Sequence, residues 1–206
     1  MNYYIDFDNT LYETAKLTSL MIAAIGNKIG ELAEKDAELI IQDVKDNFNS
    51  TIDNIFTHAE KMGKKYNVDS KMVVDAVKAV VDNGKEIVFE DAIRFLERLK
   101  EKGHKIFILT YIPQTNQEYQ LKKLMGSGIT SYFDGIIITA QYKFLLDLDY
   151  TNGIFIDDDP RDLNGLFEKN PIKVIRIRKE NNKRSKIDID NKEIEEYKSF
   201  DDIVIE

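Results

Sequence analysis

The chain contains no cysteine, so disulfides, thiolate catalysis and thiolate metal sites are excluded. Histidine is scarce too: His58 and His104 are too few for a histidine-rich zinc site. Any metal is therefore expected to be a hard cation held by oxygen, such as Mg2+. No stretch approaches the ~20 apolar residues of a membrane span. The N-terminus lacks the basic segment and apolar run of a signal peptide, so the expected compartment is the cytoplasm. Basic charge is in deficit, with a formal net charge of -8, which argues against a nucleic-acid backbone as partner. Proline is missing before Pro113, which permits a long helical block in the first half.

The 206 residues suit one domain, or one domain carrying a sizeable insertion. Residues 3–7 read as a strand. From about residue 13 to residue 83 the apolar period is helical. Leu17, Leu20, Met21, Ala24 and Ile25 form one stripe. Ile52, Ile55, Phe56, Ala59 and Met62 form a second, and Met72, Val73, Ala76, Val77 and Val80 a third. Asp69 or Ser70 would cap the last helix and Asn83-Gly84 would stop it. Core packing explains all three stripes.

Beyond Gly84, strands alternate with helices. Strands are expected at 105–110, 134–139, 153–157 and 173–177. Helices are expected at 90–100, from about Thr115 to Met125, at 142–148 and at 163–169. Residues 179–192 read as a polar surface loop, and the end as a short helix followed by an edge segment. Continuous apolar strands alternating with helices predict an α/β fold, a Rossmann-like parallel sheet with helices on both faces. The expected division is an α/β core at 1–12 and 85–206 and an all-helical insertion at 13–84.

Polar residues sit where these strands end. The first ends at Asp6 and Asp8, the second at Thr110. The third is followed after a short turn by Lys143, and the fourth ends in Asp157-Asp158-Asp159. Ligands of an open parallel sheet bind outside the carboxyl ends of its strands. Carboxylates gathered there would repel, at about 4 kcal/mol per pair 4 Å apart with an effective dielectric near 20. A divalent cation removes that penalty, and Mg2+ suits one or two carboxylates plus a phosphate oxygen. A hydroxyl and an ammonium, on Thr110 and Lys143, suit a tetrahedral oxyanion.

In this order the residues resemble the haloacid dehalogenase-like superfamily, whose members are mostly phosphatases. Asp6-Phe7-Asp8-Asn9-Thr10 is similar to its first motif, Asp-x-Asp-x-Thr. Thr110 is similar to the second, Lys143 to the third, and Asp157-Asp158 with Asp162 to the acidic fourth. The resemblance covers roughly residues 1–12 and 85–178. Phe144 replaces the proline that often follows the motif lysine, which leaves Lys105, Lys122 and Lys123 as alternatives, each also readable as a surface lysine.

The resemblance implies a Mg2+-dependent phosphatase of a small phosphorylated metabolite, with no nucleic-acid or membrane partner and an open oligomeric state. It assigns Asp6 as nucleophile, forming an aspartyl-phosphate, and Asp8 as proton donor and acceptor. Asp6, Asp8 through its backbone carbonyl and Asp158 would surround the metal, with Asp157 either a further ligand or a partner that orients one. Asn9, Thr110 and Lys143 would hold the phosphoryl group, with backbone N–H groups near Asp8 and Asn9. Thr10 and Asp162 would support the site; taken alone, Thr10 reads first as a helix cap, and Asp162 reads equally as one. A spacing of two puts Asp6 and Asp8 on one face only if the strand continues. The helical insertion would be a cap closing over the site, with Tyr12 and Glu13 at its hinge. Tyr111 and the run Gln114, Asn116 and Gln117 are candidate substrate contacts or solvated loop. The competing readings are a phosphate mutase or a dehalogenase on the same fold, a receiver-like domain, and a non-catalytic phosphate- or Mg2+-binding protein.

Overall fold

The computed structural model describes residues 1–49, 54–113, 116–150, 152–169, 172–180 and 182–205. Ile52, Gln114, Thr115 and Glu206 lie outside the described residues. In chain order the elements are β1 (Asn2–Ile5), α1 (Thr14–Ala33), α2 (Ala37–Asn47), α3 (Ile55–Lys65), α4 (Ser70–Asp82), α5 (Glu90–Glu101), β2 (Lys105–Tyr111), α6 (Gln117–Gly126), β3 (Gly135–Thr139), β4 (Gly153–Asp157), α7 (Pro160–Lys169), β5 (Lys173–Ile177) and β6 (Glu195–Tyr197). The chain divides into two compact units, Met1–Ala15 with Lys85–Glu206, and Lys16–Gly84.

In the first unit six parallel strands pair in the order β3-β2-β1-β4-β5-β6. The chain runs outward from β1 to β3, then returns to place β4 on the other side of β1. The topological switch point, where such sheets bind ligands, therefore lies between β1 and β4. Alternation along β1 sends Tyr3 to one face and Tyr4 to the other. Tyr3 meets Phe95 of α5 edge-on, and Phe95 packs on Phe200. Tyr4 joins a core with Leu109, Phe155, Leu163, Leu166 and Val174. Helices thus cover both faces, and the buried strands β1 and β4 read as continuous apolar runs for that reason.

Two expectations for this unit are corrected. The segment 142–148 holds only a 3-10 turn at Lys143–Leu145, followed by extended backbone at Leu146. Its first N–H is held by a carboxylate of α7 rather than by the segment itself. At the end of the chain the strand comes first and a 3-10 turn follows at Phe200–Asp202. Glutamate is a poor strand former, but here Glu196 stands opposite Arg176 of β5 and pairs with it at 2.8 Å. Glu195 pairs with Lys173 at 3.2 Å. Cross-strand charge pairs of this kind stabilise a sheet edge.

The second unit consists of helices. Asp36, Asn54 and Asp69 cap α2, α3 and α4 by accepting from backbone N–H groups of their first turns. His58 is buried, with Nε2 3.2 Å from the Val44 carbonyl. The apolar faces are rotated slightly from the predicted stripes. Leu20 and Met72 are exposed, and α4 turns Val73, Val77 and Val81 inward. Where α1 crosses α2, Gly26 lets the backbones meet: a Cβ there would lie 2.9 Å from the Ile41 Cα and amide N. Gly26→Ala is expected to cost about 1–3 kcal/mol, the usual range for overpacking, read as a lower urea midpoint. An unchanged midpoint would contradict this close approach.

Candidate active site

β1 stops at Ile5, and the Asp6 N–H extends the ladder by one bond to the Ile156 carbonyl of β4 at 2.9 Å. The chain then turns. Both Leu11 and Tyr12 donate backbone N–H bonds to the Phe7 carbonyl at 3.0 Å. Asn9 adopts φ 61°, a left-handed conformation that asparagine tolerates better than most residues. Because of this turn Asp6 and Asp8 do not share a strand face, and their carboxylates enter different networks.

Asp6 faces the switch point. It is 3% exposed, and its Oδ1 receives Lys143 Nζ at 2.5 Å. Thr10 Oγ1 donates to Asp6 Oδ2 at 3.2 Å. The same ammonium reaches Asp157 Oδ2, at the end of β4, at 2.6 Å. Asp162 Oδ1 accepts the Lys143 backbone N–H at 2.9 Å, which fixes the root of the lysine. Asp162 therefore orients Lys143, whereas Asp159 accepts the Arg161 N–H at the start of α7. Pro160 at the first helical position needs no N–H partner there.

Asp6, Asp157 and Asp158 offer oxygens within 4.8 Å of one another. Burial pushes the Asp6 carboxyl well above the usual range; Asp157 and Asp158 add to the rise, and Lys143 opposes it. Asp158 is pushed up to about 7 by burial and Asp157, against Arg184 and Asn182. Asp162 is pushed up to about 6 by burial and Asp157, against Lys143. Among the described residues, burial and neighbouring carboxylates outweigh the cations at all three positions. An all-oxygen, carboxylate-rich set of this kind fits a hard divalent cation. Asp8's side chain is not in the set.

Asp8 lies in a second network. Its Oδ1 accepts from Lys123 Nζ at 2.5 Å and from Thr14 Oγ1 at 2.7 Å. Its Oδ2 accepts from Gln120 Nε2 at 2.6 Å, and Gln120 Nε2 also reaches Thr110 Oγ1 at 2.9 Å. Burial alone would raise the Asp8 carboxyl, but Lys123, Thr14 and Gln120 outweigh it and hold it below the usual range. Thr110 is fully buried at the end of β2.

Other expectations shift. Lys123 is no surface lysine: it is 3% exposed, with Phe7, Tyr12 and Tyr119 rings around its ammonium. Lys122 pairs with Glu118 on the surface, and Lys105 is exposed. The Asn9 N–H is committed to the Tyr12 carbonyl at 2.7 Å. Tyr12 is fully buried and stacked on Phe7. The polar stretch 179–192 is not a plain surface loop. Asn182 is buried and donates to Asp158, and Arg184 reaches Asp158 at 3.1 Å and Asp159 at 3.2 Å. Arg176, fully buried, anchors this segment through the Arg184 and Ile187 carbonyls at 2.8 and 2.7 Å.

Sequence reasoning did not name Gln120, Asn182 or Arg184. Gln120 and Lys123 share a helix face three residues apart, the one signal for their pairing. Nothing in the run Asn181-Asn182-Lys183-Arg184 marks two of its members.

Because Asp158 binds its proton more tightly folded than unfolded, its contribution favours the fold at low pH. That contribution is lost as pH rises from its ordinary 3.8 through about 7. Asp6 and Asp162 act with the same sign. Metal-free protein is therefore expected to gain more thermal stability from added Mg2+ at pH 8 than at pH 5, because ligation needs the carboxylates ionised. Equal gains at the two pH values would contradict a carboxylate metal site.

Among solved structures, a haloacid dehalogenase-like hydrolase from Burkholderia xenovorans is 14% identical, with a TM-score of 0.68 over 98% of this chain and 93% of that one. A HAD phosphatase from Thermococcus onnurineus is 17% identical, with a TM-score of 0.60 over 97% and 94%. A HAD hydrolase from Bacillus subtilis, bound to magnesium, is 12% identical, with a TM-score of 0.56 over 97% and 95%. At these identities the likeness is one of fold. No curated protein matches the chain. Residues 4–144 match the haloacid dehalogenase-like hydrolase family, and the chain belongs to that family.

Proposed function

We propose that the protein is a Mg2+-dependent phosphatase that hydrolyses a small phosphomonoester through an aspartyl-phosphate on Asp6. The observation that carries this reading is the Asp6 carboxylate, buried at the switch point, anchored by Lys143 and Thr10 and grouped with Asp157 and Asp158. Folding alone gives no reason to bury three carboxylates together.

Asp6, Asp157 and Asp158 would hold the cation, which when bound neutralises the carboxylates and the incoming phosphate. Lys143 and Thr110 would contact phosphoryl oxygens. An Asp6 oxygen attacks phosphorus, the bond to the ester oxygen breaks, and that oxygen takes a proton. Asp8, released from Lys123 and Gln120 and protonated from solvent before the attack, supplies that proton, and takes one back from the water that cleaves the acyl phosphate. The net result is ester plus water giving alcohol plus phosphate. The helical unit would serve as the cap that excludes bulk water during the first half-reaction.

The test is phosphate release from a panel of phosphorylated metabolites. Release is expected with Mg2+ and not after chelation. Asp6→Asn is expected to abolish it, and Asp8→Asn to lower kcat by about 10²–10⁴-fold, the usual worth of general acid–base catalysis. Undiminished release by Asp6→Asn would overturn the reading, as would phosphate passing to a second hydroxyl instead of water.

A further inference from the structure

We propose that the substrate is a phosphomonoester whose leaving group carries a flat aromatic ring, seated against Tyr111 and Tyr142 at the mouth of the site. The inference deepens the phosphatase reading and rests on it for the place of the phosphate.

Asp6, Asp8 and Lys143 line one cavity together with Tyr111, Tyr142 and Arg161. Its volume is about 60 Å3. One water needs about 10–15 Å3 on the same measure, so the cavity has room for a phosphoryl group and its oxygens but not for a whole metabolite. The leaving group must lie outward, along whatever walls the mouth.

Two of the residues that line the cavity are exposed aromatics. Tyr111 and Tyr142 are stacked, with centroids 5.9 Å apart and planes 10° from parallel. Tyr142 stacks in turn on Phe144 at 5.6 Å and 17°. Phe144 fixes the base of the column. It packs against the core, and a Cβ at Gly165 of α7 would lie 2.5 Å from its ring. Arg161 steadies the middle ring, with its guanidinium 5.2 Å from the Tyr142 centroid and Nη1 donating to the hydroxyl at 3.2 Å. The column ends at Tyr111, which is 39% exposed, and Tyr142 is 37% exposed.

Two aspects of this arrangement point to a ligand. Tyr111 directly follows Thr110 and Tyr142 directly precedes Lys143, and both rings line the cavity that Asp6 and Lys143 also line. The rings are also held parallel before anything binds, so a further flat ring can extend the stack at small entropic cost. An aliphatic sugar phosphate would use neither property. Two sources share the required chemistry: a nucleoside monophosphate, with a sugar between phosphorus and ring, and an aryl phosphate, with the ring on the ester oxygen.

The test measures binding to the Asp6→Asn protein with Mg2+ by calorimetry. The probes are uridine 5′-monophosphate, phenyl phosphate and ribose 5-phosphate. One ring-bearing probe is expected to bind about tenfold tighter than ribose 5-phosphate, within the range for a base on an aromatic side chain. Which of the two does so identifies the source. Tyr111→Leu is expected to bring the ratio near one and Tyr111→Phe to preserve it, with Tyr142→Leu as a second variant should Tyr111→Leu not fold. Ribose 5-phosphate binding as tightly as both ring-bearing probes would overturn the proposal, as would a ratio unmoved by both leucine variants. Failure of the phosphatase reading appears separately, as wild-type protein that binds these probes and releases no phosphate.

Discussion

The structure turns on one buried ammonium. Lys143 Nζ lies 2.5 Å from Asp6 and 2.6 Å from Asp157, and so ties the end of β1 to the end of β4. These are the two parallel strands between which the order of strand addition reverses. Asp162, from α7, holds the same residue by its backbone N–H, with its other oxygen 4.0 Å from the ammonium. Three carboxylates from three elements thus converge on one cation. Burying such groups is costly unless each is paired, and a single lysine leaves negative charge in excess. The excess is what a divalent ion would offset.

The two aspartates of the first turn show how backbone geometry separates chemistry. Only Phe7 stands between them, yet the turn sends one carboxylate to the switch point and the other to α6. Burial dominates at Asp6 and raises it; Lys123, Thr14 and Gln120 prevail at Asp8 and lower it. Two carboxyls separated by one residue thus receive opposite proton affinities from their surroundings. Around the rim, Arg176 holds the segment that brings Asn182 and Arg184 to Asp158. The far edge of the sheet therefore contributes to the site.

How much of this was legible depended on whether a residue's neighbours in space were also its neighbours in pattern. The strands β1 to β5 were readable because buried parallel strands leave unbroken apolar runs, and strand ends carry the polar residues. Asp6, Asp8, Thr110, Lys143, Asp157 and Asp158 consequently appeared as a set, although Asp8 and Thr110 turn out to meet Gln120. β6 was not readable, since Glu195 and Glu196 become strand only through basic partners on β5. Lys123 looked like any surface lysine, because its burial depends on a turn more than a hundred residues earlier. Arg184 and Asn182 were hidden in a polar run whose composition says loop, and only the buried Arg176 shows why that loop returns to the site.

The central claim is that Asp6 forms the covalent bond to phosphorus. Its most direct measurement is mass spectrometry of protein quenched during turnover with Mg2+ and reduced with borohydride, which converts a phosphoaspartate to homoserine. The expected result is conversion at Asp6 alone. Conversion at Asp8 or Asp158, or none in protein that is turning over substrate, would contradict the account.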